Sequence, residues 1–321
     1  EQVDPEMLDR LGMVCDTAAE LGLKLDVTFF TGHMSGPSWT PAWMLWRDRP
    51  KPKRVRQVVS GGEIVDCDYR NPYHDPLVLA AAELLLQSVV RRFHAHPAIG
   101  MWNLGNEPDL FAWPRDATSG RAWVRRMAAL IKHIDPDHPV TCGLHADSLF
   151  MDNGLRVNEV FAEVDIAVMH GYPMYVPWAR SPLDPHFVPF LSSLTAALAG
   201  KPTLMEEWGG CTVGPGQPSS VWSWEPYGKP YQQFMAAETE FANYVEQVNA
   251  NLVDAGALGS MLWCFADYVP ELWDKPPCLE AHHERFFGLV RPDGSLKPHA
   301  AVIQRFAQSQ PTVQAPINSV I

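Results

Sequence analysis

Positive charge is scarce in this sequence. Against 37 aspartates and glutamates stand 25 lysines and arginines, a formal net charge of −12 at pH 7 and a pI near 5.4. Phosphate backbones and anionic membrane surfaces are held by basic patches, so this deficit excludes nucleic acid and acidic lipid as expected partners. Long apolar runs are missing too, and nothing approaches the roughly 18 consecutive apolar residues of a membrane span. Cysteine is sparse and scattered. The six cysteines (Cys15, Cys67, Cys142, Cys211, Cys264, Cys278) include no Cys-x-x-Cys pair, which removes the common zinc and redox motifs. They sit largely in apolar surroundings, as buried free thiols do. Free thiols lean towards a cytoplasmic setting over a secreted one. Residue 1 is glutamate rather than an initiator methionine, however, and localisation stays open.

What is present is a large apolar fraction, 46%, with 19% charged residues and an unusual store of 12 tryptophans and 29 prolines. These are the proportions of a globular chain with a substantial core. Helical spacing predicts a first helix over about 5–21, stopped by Gly22 and followed by a strand from Leu23 to Phe30. A Trp-, Pro- and Gly-rich connection occupies 31–75. Then come a helix over 77–93, a strand over 99–106, a helix over 120–134 and a strand at Val140–Leu144. A short helix at 157–162, a strand at 165–170, a helix at 187–199 and a strand at 202–209 follow. The longest helix is expected over 233–255, before a strand at 258–265 and a last helix from Lys297-Pro298. Strand–helix alternation of this kind implies a parallel sheet with helices outside it. We read 1–310 as one catalytic domain and 311–321 as a tail.

The connections are lopsided. Helix-to-strand links are short, whereas strand-to-helix links are mostly long and hold most of the tryptophans, which there suit sugar stacking or loop packing equally. A (β/α) barrel builds its active site from those links, at the C-terminal face. Two strands end in carboxylates. Ile99-Gly100-Met101-Trp102-Asn103-Leu104-Gly105-Asn106-Glu107-Pro108 stops at a proline that cannot continue a ladder. About a hundred residues later comes Thr203-Leu204-Met205-Glu206-Glu207-Trp208-Gly209. A single Asn-Glu-Pro is equally well a polar turn. Two carboxylate tips on one α/β sheet suit the acid and the partner carboxylate of glycoside hydrolysis.

With His96-Pro97-Ala98-Ile99 leading into the first motif and Gly288-Leu289-Val290-Arg291-Pro292-Asp293-Gly294 near the end, the sequence resembles clan A glycoside hydrolases, within them family 5-like enzymes of the endo-β-mannanase type. The resemblance covers about residues 5–307. It implies a (β/α)8 TIM barrel and a retaining, cofactor-free, metal-free β-glycosidase acting on β-linked mannan or a related oligo- or polysaccharide. Glu107 becomes the acid/base and Glu207 the nucleophile, with their carboxyls about 5–5.5 Å apart. Glu206 is the rival nucleophile: alternation puts the two glutamates on opposite faces, but both faces have apolar neighbours, so parity does not choose. Asn106 is expected to bind the sugar 2-hydroxyl, Tyr172 of His170-Gly171-Tyr172 to orient the nucleophile, Trp263 to floor the sugar site, and His33 and Trp208 to contact substrate. His282-His283-Glu284 is read as solvated or substrate-facing rather than as a metal site. Glucosidase, galactosidase or glucanase specificity stays open, as does a carbohydrate-binding barrel without turnover; oligomeric state is unread. The resemblance also makes the Asn106-Glu107 strand the fourth of eight although only one strand precedes it here, so the first two barrel strands are expected outside residues 1–321.

Overall fold

Punctuation residues set the elements. In the computed structural model, which describes residues 2–53, 56–309 and 311, α1 (Pro5–Glu20) starts where the Asp4 side chain accepts the Glu6 amide at 2.9 Å. It stops before Gly22, whose φ of 69° is one that glycine adopts without steric cost. The Asp75 carboxylate does the same for α2 (Pro76–Phe93), accepting from the amides of Leu77 and Val78 ahead of a proline in the first turn. Contacts gather into two compact units: Glu1–Met34, Ser38–Val168 and Leu198–Gly200 in the first, and Ser35–Pro37, Met169–Ala197 and Lys201–Ile321 in the second. The expected tail lies outside the described residues from 312 onward.

In the first unit, β1 (Leu25–Phe30) is followed by the connection that the sequence predicts as irregular. It holds five short strands: β2 (Ser38–Trp39), β3 (Leu45–Trp46), β4 (Val58–Ser60), β5 (Glu63–Val65) and β6 (Asp68–Tyr69), paired as β2-β4-β5 and β3-β6. The physical reason is a small core of its own, Leu45, Val58, Cys67 and Tyr69, packed with Val65 and Phe111. After α2 come β7 (Ile99–Asn106), α3 (Pro108–Phe111), α4 (Ala117–Ile134), β8 (Val140–Gly143), α5 (Asp147–Phe150) and α6 (Val157–Val160). The sheet order is β1-β7-β8, all parallel, with Val27 opposite Trp102 and Trp102 opposite Val140. Trp102 is fully buried, and its Nε1 donates to Asp135 at 2.7 Å, so the polar atom of this large core side chain is satisfied.

The second unit holds β9 (Ala167–His170, its first two residues counted with the other unit), α7 (Phe187–Ala199), β10 (Thr203–Gly209), β11 (Ser220–Trp224), β12 (Tyr231–Met235), α8 (Glu238–Asp254), β13 (Gly259–Trp263) and α9 (Pro298–Ser309). Its main sheet runs β13-β10-β9. Here the expected long helix is corrected: Gln233 is in a strand, and α8 begins at Glu238. Tyr231–Met235 alternates and pairs antiparallel with Ser220–Trp224, and that hairpin outcompetes helical continuation. All six strands of the expected alternation are present among the described residues, as two sheets of three.

Candidate active site

The first unit presents the tip of β7. Asn103, buried in mid-strand, accepts hydrogen bonds through Oδ1 from the amides of Gly105 and Gly143, both at 3.0 Å, which ties the end of β7 to the end of β8. Glu107 then turns sharply. Its amide donates to the Gly143 carbonyl at 2.8 Å, and its φ and ψ of 46° and 52° are left-handed. For a residue with a side chain that costs on the order of 1–3 kcal/mol, and such conformations gather at functional sites. The carboxylate is buried, with Oε2 3.5 Å from His33 Nε2, and Asn106 Nδ2 donates to the His33 carbonyl at 2.9 Å. Three of the predicted residues, His33, Asn106 and Glu107, are thus brought together.

The short helix α3 after β7 and the loop after β8 add residues the sequence reading missed. Asp109 is 1% exposed and accepts from Ser148 Oγ at 2.7 Å and from the His145 amide at 3.2 Å. Burial pushes its carboxyl up to about 6, with Glu107 adding to the rise and His145 and Ser148 opposing it. His145 Nδ1 lies 3.5 Å from Asp147 Oδ1. Burial opposes a charge on this imidazole, but Glu107, Asp147 and Asp109 outweigh it and lift His145 to about 9. The available signal was the Leu144-His145-Ala146-Asp147 run immediately after a strand, the same kind of position as the two glutamate tips.

In the second unit the end of β9 faces the end of β10. His170 and Tyr172 are two residues apart, and Tyr172 Oη donates to Glu207 Oε1 at 2.6 Å. His170 Nδ1 lies 3.6 Å from Glu207 Oε2, and its Nε2 lies 3.3 Å from Glu206 Oε2. Simple alternation would have separated the glutamates. A register shift between Met205 and Trp208 against β13 breaks the alternation, so both reach one imidazole. The same shift corrects the expectation for Trp208. Its side chain is fully buried, set edge-on against Tyr244 of α8 at 5.9 Å, and belongs to the core rather than to a sugar platform.

Trp263 ends β13 half-buried, packed with Tyr172, Cys211, Val213, Met235 and Phe287, so the predicted floor residue and Tyr172 share one cluster. Of the two readings of His283, solvated or substrate-facing, the first is corrected: the side chain is buried. It rests among Tyr175, Trp224, Tyr231 and Phe287, its Nε2 lies 3.0 Å from Tyr175 Oη, and burial pulls its imidazole down to about 4. In the same unit, Lys297 Nζ donates to Asp267 Oδ1 (2.7 Å), Thr212 Oγ1 (3.0 Å) and the Phe286 carbonyl (3.0 Å).

Parallel strands with helices between them, and glutamates at the ends of two of those strands, are an arrangement that TIM-barrel glycosidases share. The model of "Glycosyl hydrolases family 2, TIM barrel domain" matches residues 54–310, and the chain belongs to that family. Mannan endo-1,4-β-mannosidase F of Aspergillus clavatus is 27% identical over 157 residues, 43% of this chain and 34% of that protein. Mannan endo-1,4-β-mannosidase A of Emericella nidulans is 24% identical over 211 residues, 63% of this chain and 48% of that protein. The chain therefore spans about a third to a half of the length of these curated relatives. A GH5_18 protein of Streptomyces cattleya, solved in complex with Manb1-4GlcNAc, superposes with a TM-score of 0.75 at 18% identity, over 98% of this chain and 69% of that one. An exo-β-1,4-mannosidase of Opitutaceae bacterium strain TAV5 gives 0.73 at 23% identity, over 96% and 50%. These two likenesses show the barrel fold, and the family 5-like resemblance agrees with them.

Proposed function

We propose that this chain is a retaining β-glycoside hydrolase acting on a β-linked mannoside or mannan by a two-glutamate double displacement. The observation that carries the reading is the grip on Glu207: a carboxylate approached on both oxygens by side chains from the end of β9 and the turn just after it is fixed in aim, as a nucleophile must be. Glu207 attacks the anomeric carbon. Glu107 protonates the departing oxygen and then takes a proton from water. Asn106, oriented by the His33 carbonyl, meets the 2-hydroxyl, and Trp263 floors the sugar ring. The mannose preference is supported by the curated relatives, which are endo-acting mannosidases by name, and by an exo-acting one among the solved neighbours.

The test uses nitrophenyl β-mannoside, β-glucoside and β-galactoside alongside mannan, glucan and xylan. β-Mannoside or mannan should be cleaved fastest. Glu207→Ala should be inactive and, with added azide, yield an α-glycosyl azide. Glu107→Ala should keep activity on leaving groups that need no proton and yield the β-glycosyl azide. Turnover by Glu207→Ala without azide sinks the mechanism, and a panel led by glucosides sinks the substrate.

A further inference from the structure

We propose that Glu206 is a positioning residue that keeps His170 doubly protonated, so that the ring donates through Nε2 to Glu206 and faces Glu207 with a protonated Nδ1 as an ion pair at 3.6 Å. The inference rests on the reading of Glu207 as nucleophile and gives its neighbour in sequence a separate task. The His170 side chain is 2% exposed, and the Glu206 and Glu207 side chains are 6% and 15% exposed. The imidazole therefore sits out of water with a carboxylate oxygen at each nitrogen, 3.3 Å from Nε2 and 3.6 Å from Nδ1.

A neutral imidazole carries one N–H and one bare nitrogen. In this arrangement the bare nitrogen of a neutral ring would point its lone pair at a carboxylate oxygen. The imidazolium has a hydrogen for each side. Burying that cation alone is costly, and an anion buried against it removes the cost. Glu206 is such an anion, brought to the same ring as Glu207 by the register shift of β10. Two carboxylates and one imidazolium together carry the net charge of a single nucleophilic carboxylate. Tyr172 donates to the other oxygen of Glu207 at 2.6 Å, so its side chain is held from both sides while Glu206 is spent on the ring. Glu206 on this account touches no substrate.

The full chain labelled with 15N-histidine reports the ring directly at neutral pH, with the His170 signals identified by their loss in His170→Asn. Both His170 ring nitrogens should be protonated in the wild type, and Glu206→Gln should leave one of them bare. Glu206→Asp, which keeps the charge, should keep the ring doubly protonated. On the best nitrophenyl glycoside, Glu206→Gln should lower kcat by about 10- to 100-fold, the usual scale for loss of a supporting partner, with KM within about twofold. A neutral His170 in the wild type overturns the inference. So does Glu206→Gln with an unchanged ring and a kcat within about twofold of wild type. An azide adduct formed by Glu206→Ala in place of Glu207→Ala makes Glu206 the nucleophile and overturns both readings. A panel with no hydrolysis at all sinks the proposed function alone, because the ring spectrum still decides the inference.

Discussion

Tyr172→Phe isolates one hydrogen bond at the candidate nucleophile. The tyrosine is 6% exposed, with its ring in the cluster of Cys211, Val213, Met235 and Phe287 and edge-on to Phe287 at 6.0 Å. Phenylalanine keeps that ring and its contacts and deletes only the hydroxyl that donates to Glu207 at 2.6 Å. A hydrogen bond to a charged group contributes about 1.5–3 kcal/mol. If the bond is worth more at the transition state, where the carboxylate must stay aimed, its loss lowers kcat by about 10- to 150-fold at about 1.4 kcal/mol per factor of ten. KM should change little, since the hydroxyl acts through Glu207. The Glu207 side chain is 15% exposed, so water can replace the lost donor and the fold should lose under about 1 kcal/mol, a Tm shift below about 4 °C. Initial rates on a nitrophenyl β-mannoside together with a calorimetric melt check both halves. A kcat within twofold of wild type refutes the reasoning, as does a rate loss matched by a collapse in Tm.

Three further outcomes are expected. His145 has its imidazole raised to about 9 from an ordinary 6.5, so it contributes about 3 kcal/mol that is fully present below pH 6.5 and lost as pH rises through about 9; urea midpoints of wild type and His145→Gln should converge between pH 6 and pH 9.5, and parallel profiles contradict the pairing. Gly120→Ala puts a Cβ 2.0 Å from the Gly154 carbonyl oxygen, an overpacking worth about 1–3 kcal/mol, visible as a lower Tm with unchanged kcat in the remaining folded enzyme. Lys297→Met strands buried Asp267 without its cation and should cost about 3–5 kcal/mol by chemical denaturation, with much of the loss restored by adding Asp267→Asn.

Local chemistry was legible without coordinates wherever a residue's role depends on its neighbours in sequence. Asp4 with Pro5 and Asp75 with Pro76 announce helix starts, Gly22 announces a stop, and Pro108 ends β7 immediately after Asn106-Glu107. Apolar runs of strand length between amphipathic helices were enough for six strands. What sequence periodicity does not carry is the extra residue in a register. The shift in β10 sends Glu206 and Glu207 to one imidazole, the reverse of what alternation implied for the pair, and Trp208, expected from the resemblance to contact substrate, is buried against Tyr244. Nor does it carry the balance between burial and charge. His283 and His145 both follow strands in polar-looking loops, yet aromatic rings strip one of its proton, while three carboxylates hold a proton on the other. The sequence by itself determined which side chains are available at the strand tips. The tertiary structure decided which of them meet, because distance, dielectric and register exist only once the strands are paired.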